Sequence, residues 1–99
     1  MDPLAEIPVR IPRTSPSAAA LLRAGAKVAQ DVAQALKDRF KVGESALSIW
    51  PVEQTQEDLV FQARVPRAVL SASGGVNSLA DLVSVMLEEA ALRHGRKTA

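Results

Sequence analysis

The stretch DLVFQARVPRAVL, Asp58 to Leu70, decides how this chain is read. Leu59, Phe61, Ala63 and Val65 alternate with Val60, Gln62 and Arg64. Successive side chains on a strand point to opposite faces, so this is the pattern of a half-buried strand. It stops at Pro66, beyond which Pro66 to Ser73 has room for about two helical turns. Just upstream, Glu44 to Val52 is a second strand-like run, and EQTQE between the two fits a β-hairpin with a longer loop. Leu47 and Ile49 should face inward with Leu59 and Phe61. Pro51 cannot donate to a ladder and belongs at an edge or a strand end. Trp50 falls on the side opposite Ile49, either as a contact surface or as a ring partly covered by a helix.

Toward the N-terminus, Ser15-Pro16 starts a helix, with Ser at the N-cap and Pro at the first helical position. It should run to Val42, about 40 Å at 1.5 Å per residue, with Gly43 as its C-terminal cap. Leu22, Ala26, Ala29, Ala33, Leu36 and Phe40 recur at steps of four and three, and Leu21, Gly25, Val28 and Val32 widen the stripe. Lys27 and Asp31 are placed for an ion pair one turn apart. The small residues in this seam let another element approach closely, either the domain's own sheet or a second helix. Ahead of it, Met1 to Thr14 holds Pro3, Pro8 and Pro12 and reads as an extended arm, in which IPVRIPR sets Arg10 and Arg13 beside Ile7, Val9 and Ile11. Such an arm is either a loose terminus or a segment that docks on a neighbour.

Toward the C-terminus, Gly74-Gly75 breaks the chain and Asn77 or Ser78 caps a last helix, supported by Asp81. Leu79, Leu82, Val83, Met86, Leu87, Ala90 and Ala91 form its apolar stripe, Glu89 and Arg93 can pair, and Gly95 ends it before a basic tail. The fold class is therefore α+β in the order arm, long helix, β-hairpin, short helix, C-terminal helix. Residues 1–14 are the arm, 15–95 a single domain and 96–99 the tail.

Composition narrows the function. A 99-residue domain buries only about two-thirds of its unfolded surface, and the large aromatic side chains are limited to Phe40, Trp50 and Phe61. That favours a homodimer, in which a second copy supplies the missing burial. A net charge of +1 does not by itself announce nucleic acid. The chain has no Cys and a single His, His94, which excludes thiolate chemistry and disfavours a transition-metal site. No apolar run approaches the ~20 residues of a membrane span, and no signal-peptide core is present, so the expected compartment is the cytoplasm. General acid–base catalysis needs titratable groups gathered in a pocket. Glu88 and Glu89 diverge on a helix, and Glu53, Glu57 and Asp58 crowd a loop without calcium-loop spacing. SASGG is neither a nucleophile elbow nor a phosphate loop. The expectation is no enzyme, no cofactor, no metal and no small-molecule substrate.

From Phe61 the chain reads FQARVPRAVL, then VNS before the last helix and GRK after it. This resembles the ribbon-helix-helix repressors of the Arc type, in which two chains pair their strands and alternate strand residues enter the DNA major groove. The resemblance covers about a third of the chain. It implies that Gln62 and Arg64 read bases, with Val60 in the third reading position, and that the helix capped near Asn77 clamps a phosphate. Gln suits adenine and Arg suits guanine. The chain departs from the family in its short helix after Pro66 and in the helix and strand that precede the motif. Without the resemblance, Gln62 and Arg64 are the wet face of a hairpin. The order and length of the elements are also similar, by analogy, to the small nucleoid-associated dimers of the YbaB type.

Two functions stand side by side. One is a homodimeric DNA-binding protein that adds Arg10, Arg13, Arg93, Arg96 and Lys97 as phosphate contacts. The other is a protein–protein interaction module, an adaptor or subunit of a larger assembly, using Leu22, Ala26, Ala29, Ala33, Leu36, Phe40 and Trp50.

Overall fold

A computed structural model describes residues 4–43 and 46–97, with side chains as far as His94. The protein is a mixed α+β fold with a three-stranded antiparallel sheet and three helices. The elements are β1 (Leu4–Pro12), α1 (Ala18–Phe40), β2 (Ser48–Gln54), β3 (Asp58–Pro66), α2 (Arg67–Ala72) and α3 (Val76–Lys97). The strand order is β1-β3-β2, so Asp58–Pro66 is the central strand. Helix α1 lies against β2 and α3, and α3 lies against β1.

The alternation read from β3 holds from Phe61 to Val65 and breaks at Val60, which is buried like its neighbours Leu59 and Phe61. Leu59, Phe61, Ala63 and Val65 are buried under the helices, while Gln62 is half-buried and Arg64 exposed on the other face. Leu47 and Ile49 join the same core, as expected of the hairpin. Ala63 keeps the middle of the sheet thin between Ile7 and Ile49, its register partners on either side. Helix α1 comes close over Phe61, where a Cβ on Gly25 would stand 3.4 Å from the Phe61 ring.

The arm is not an arm. Residues Leu4–Pro12 form strand β1, paired along its length with β3 from Leu4↔Pro66 to Pro12↔Asp58. Ile7, Val9 and Ile11 are fully buried, and Glu6, Pro8 and Arg10 face solvent. The prolines concealed a strand period that was present all along. An edge strand tolerates Pro, because it has ladder partners on one side only. Pro51 sits on the opposite edge, where the pairing of β2 shifts between Pro51 and Glu53. Prolines on both edges, joined on β2 by the register shift, blunt them against pairing with another chain. The order is therefore strand, helix, hairpin, two helices, and the domain begins at β1 rather than at Ser15.

The helix ends also move. Helix α1 starts at Ala18, and Ser15 instead shapes the preceding turn. Its Oγ is 2.9 Å from Ser17 Oγ and donates to Glu88 of α3 at 3.2 Å, tying the turn across the helical layer. The helix ends at Lys41, not Gly43. Lys41 takes the left-handed conformation at φ 56°, and the amide of Val42 donates back to the Lys37 carbonyl at 3.1 Å. That geometry favours glycine. Lys41→Gly should therefore raise stability by about 0.5–1 kcal/mol, read as a higher urea midpoint at unchanged slope.

Helix α2 has six residues and ends at Ala72, followed by Gly74 and Gly75, both at positive φ (96° and 110°). Helix α3 begins at Val76, so Asn77 lies inside its first turn rather than capping it. Leu79, Val83, Leu87 and Ala91, spaced by four, are its fully buried face. The helix continues through Gly95 to Lys97, so no separate basic tail begins at Arg96. No helix of the described residues is long and apolar enough to cross a membrane.

Candidate functional site

The two helices cover one face of the sheet and leave the other open. On the open face β3 presents Gln62 and Arg64, β1 presents Glu6 and Arg10, and β2 presents Trp50. Register brings these together from three separate segments: Glu6 is the partner of Arg64, and Trp50 the partner of Gln62.

Glu6 organises the centre. Its Oε1 accepts from Arg64 Nη2 at 2.7 Å, and its Oε2 accepts from Gln62 Nε2 at 2.6 Å. The Arg64 guanidinium carbon also lies 5.5 Å from the centre of the Trp50 ring. One carboxylate thus holds the two polar side chains Gln62 and Arg64 of β3, while an aromatic ring supports the guanidinium. Both partners of the ion pair are about half exposed, so it contributes little stability; its effect is to fix orientation. Sequence reading missed Glu6. The available signal was the alternation in AEIPVRI, which places Glu6 on the face away from Ile7.

The proposed DNA contacts are not gathered. Val60 is 6% exposed and presents almost no surface to a base. Arg13 is a brace: its Nε donates to the Thr55 carbonyl at 2.6 Å and its amide to the Glu57 carbonyl at 3.0 Å, anchoring the β2–β3 turn. Thr55 closes that turn, its Oγ1 accepting from the Asp58 amide at 2.9 Å. Arg10 stands 3.8 Å from Asp58. Arg93 belongs to the helical layer, on the side of the sheet opposite Gln62 and Arg64. Asn77 is exposed in the first turn of α3. The side chains of Arg96 and Lys97 lie outside the described residues. Strand β3 has β1 on one edge and β2 on the other, so neither edge is open to β3 of a second copy, as a two-stranded ribbon requires.

The seam on α1 is likewise committed. Ala29, Ala33 and Leu36 are buried in the chain's own core, because the sheet takes that face. Leu22 and Ala26 point outward, and Phe40 is half-buried beneath Arg39, 6.0 Å from its ring centre. Of the interface candidates, Trp50 alone sits on the open sheet face. Neither Lys27–Asp31 nor Glu89–Arg93 forms an ion pair. Among the described residues no group of three His, Asp or Glu side chains is placed to hold a metal.

No protein-family model matches this chain, and searches of curated proteins and of solved structures return no match.

Proposed function

We propose that this chain is a non-enzymatic protein–protein interaction module that recognises its partner with the open face of its sheet. The observation that carries this reading is the Trp50–Arg64–Glu6–Gln62 cluster. Trp and Arg are the side chains most enriched among residues that dominate protein interfaces. Here they are oriented before any partner arrives, so less side-chain entropy is lost on binding. The charge of this face argues against nucleic acid. Glu6, Glu53 and Asp58 stand against Arg10 and Arg64, and Arg64 is already neutralised by Glu6. Phosphate backbones are held mainly by unneutralised Lys and Arg.

The test uses proximity cross-linking with wild-type protein and the variants Trp50→Ala and Arg64→Glu. Wild type should capture a defined protein set that both variants lose. For a purified partner, Trp50→Ala should weaken binding by roughly 30-fold or more. Equal capture by Trp50→Ala would defeat the reading. So would salt-sensitive binding of mixed DNA fragments in a gel shift, which would return the protein to the DNA-binding class.

A further inference from the structure

Between α1 and α3 runs a groove of about 420 Å³ lined by those two helices alone, with nothing contributed by the sheet. Its apolar part is Val32 and Ala35 of α1 with Leu82, Val85, Met86 and Ala90 of α3. Val85 is 51% exposed, and Leu92, two turns further along the same side of α3, is 40% exposed. Both lie outside the stripe through which α3 packs on its own sheet. Four charges rim the groove: Asp31 and Glu89, Arg39 and Arg93. Among the described residues none of these four makes an ion pair within the chain.

We infer that this groove is the seat of a second copy of the chain. A two-fold contact places one patch against itself, so it must be self-complementary. A rim with two acids and two bases meets that condition: a copy seated on it can set carboxylates against guanidiniums. A uniformly acidic or basic ligand would instead face two like charges. The apolar floor and Val85 supply burial that a chain of this size lacks by itself. The dimer contact is thus the helical layer, not the α1 seam, which the sheet has consumed. It leaves both open sheet faces turned outward, so the dimer is a two-headed module, and a bivalent partner gains from the linkage. The inference does not depend on what those sheet faces bind.

Sedimentation of the full chain decides it. Wild type should run at twice 10.5 kDa at high micromolar concentration. Val85→Glu, an exposed substitution, should raise the dimer dissociation constant by about 100-fold. The pair Asp31→Lys with Glu89→Lys makes the rim wholly basic, and Arg39→Glu with Arg93→Glu makes it wholly acidic. Each double variant alone should be a folded monomer by circular dichroism, and mixing the two should restore a dimer containing one of each. Trp50→Ala should leave the mass unchanged. A monomeric wild type overturns the proposal. So does a dimer that survives Val85→Glu and both charge variants, a mixture that stays monomeric, or a dimer lost on Trp50→Ala.

Discussion

Truncating Phe61 to alanine should lower the unfolding free energy by about 3–5 kcal/mol, the range for removing a buried aromatic and leaving a cavity. Phe61 is 2% exposed and heads the fully buried side chains by volume. It lies on the central strand, with Val9 and Pro51 as its neighbours in register and the backbone of Gly25 close above its ring. Contacts from both edge strands and from α1 leave the void little freedom to collapse. A domain of this length is stable by only about 5–15 kcal/mol, so the loss is a large share of the whole. Urea unfolding followed by far-ultraviolet circular dichroism reads it directly. A loss under about 1 kcal/mol would show that the core is centred elsewhere.

Val9→Asp should cost at least about 4 kcal/mol, enough to populate the unfolded chain at room temperature. Val9 is 1% exposed and is the register partner of Phe61. The substitution places a carboxylate in the core with no cation beside it. Its control lies one residue away. Arg10 faces solvent on the same strand, and its contact with Asp58 is long at 3.8 Å, so Arg10→Asp should change stability by no more than about 0.5 kcal/mol. The contrast separates a core strand from a loose terminal arm, in which neither substitution would matter. A double-mutant cycle of Val9→Ala with Phe61→Ala should show coupling of about 0.5 kcal/mol or more, because the two sit directly opposite one another.

Both predictions concern residues that also hold the functional face in place. Strand β1 carries Val9 on one side and Glu6 on the other. Docking Val9 against Phe61 is what brings the Glu6 carboxylate within 2.7 Å of Arg64 and 2.6 Å of Gln62. Glu6→Ala is therefore the gentle form of the same experiment. It leaves the core intact, frees Arg64 and Gln62, and should weaken partner binding without moving the urea midpoint by more than about 0.5 kcal/mol.

Where periodicity alone specifies an element, it could be read from the residues. The two-residue alternation of Asp58–Val65 marked β3 and its buried face, and the stripe Leu79, Val83, Leu87 marked α3. Gly74-Gly75 marked the break between α2 and α3, because two successive positive-φ positions are open to glycine at little cost. Short-range geometry and side-chain volume decide those features, and both are written locally. Strand β1 was misread for a local reason as well: its prolines argue against a central strand, and only its pairing with β3 shows that an edge position accommodates them. The placement of Glu6, 58 residues from Arg64, depends on sheet order, which no local pattern contains. The same is true of the α1 seam, whose partner is the sheet, and of the groove between α1 and α3, which exists only once two helices distant in sequence lie side by side. The sequence by itself determined the hairpin strands, the helices and which of their faces are apolar, since backbone sterics and burial act residue by residue. The tertiary structure alone decided which faces meet, because that choice rests on contacts between segments the chain must fold to bring together.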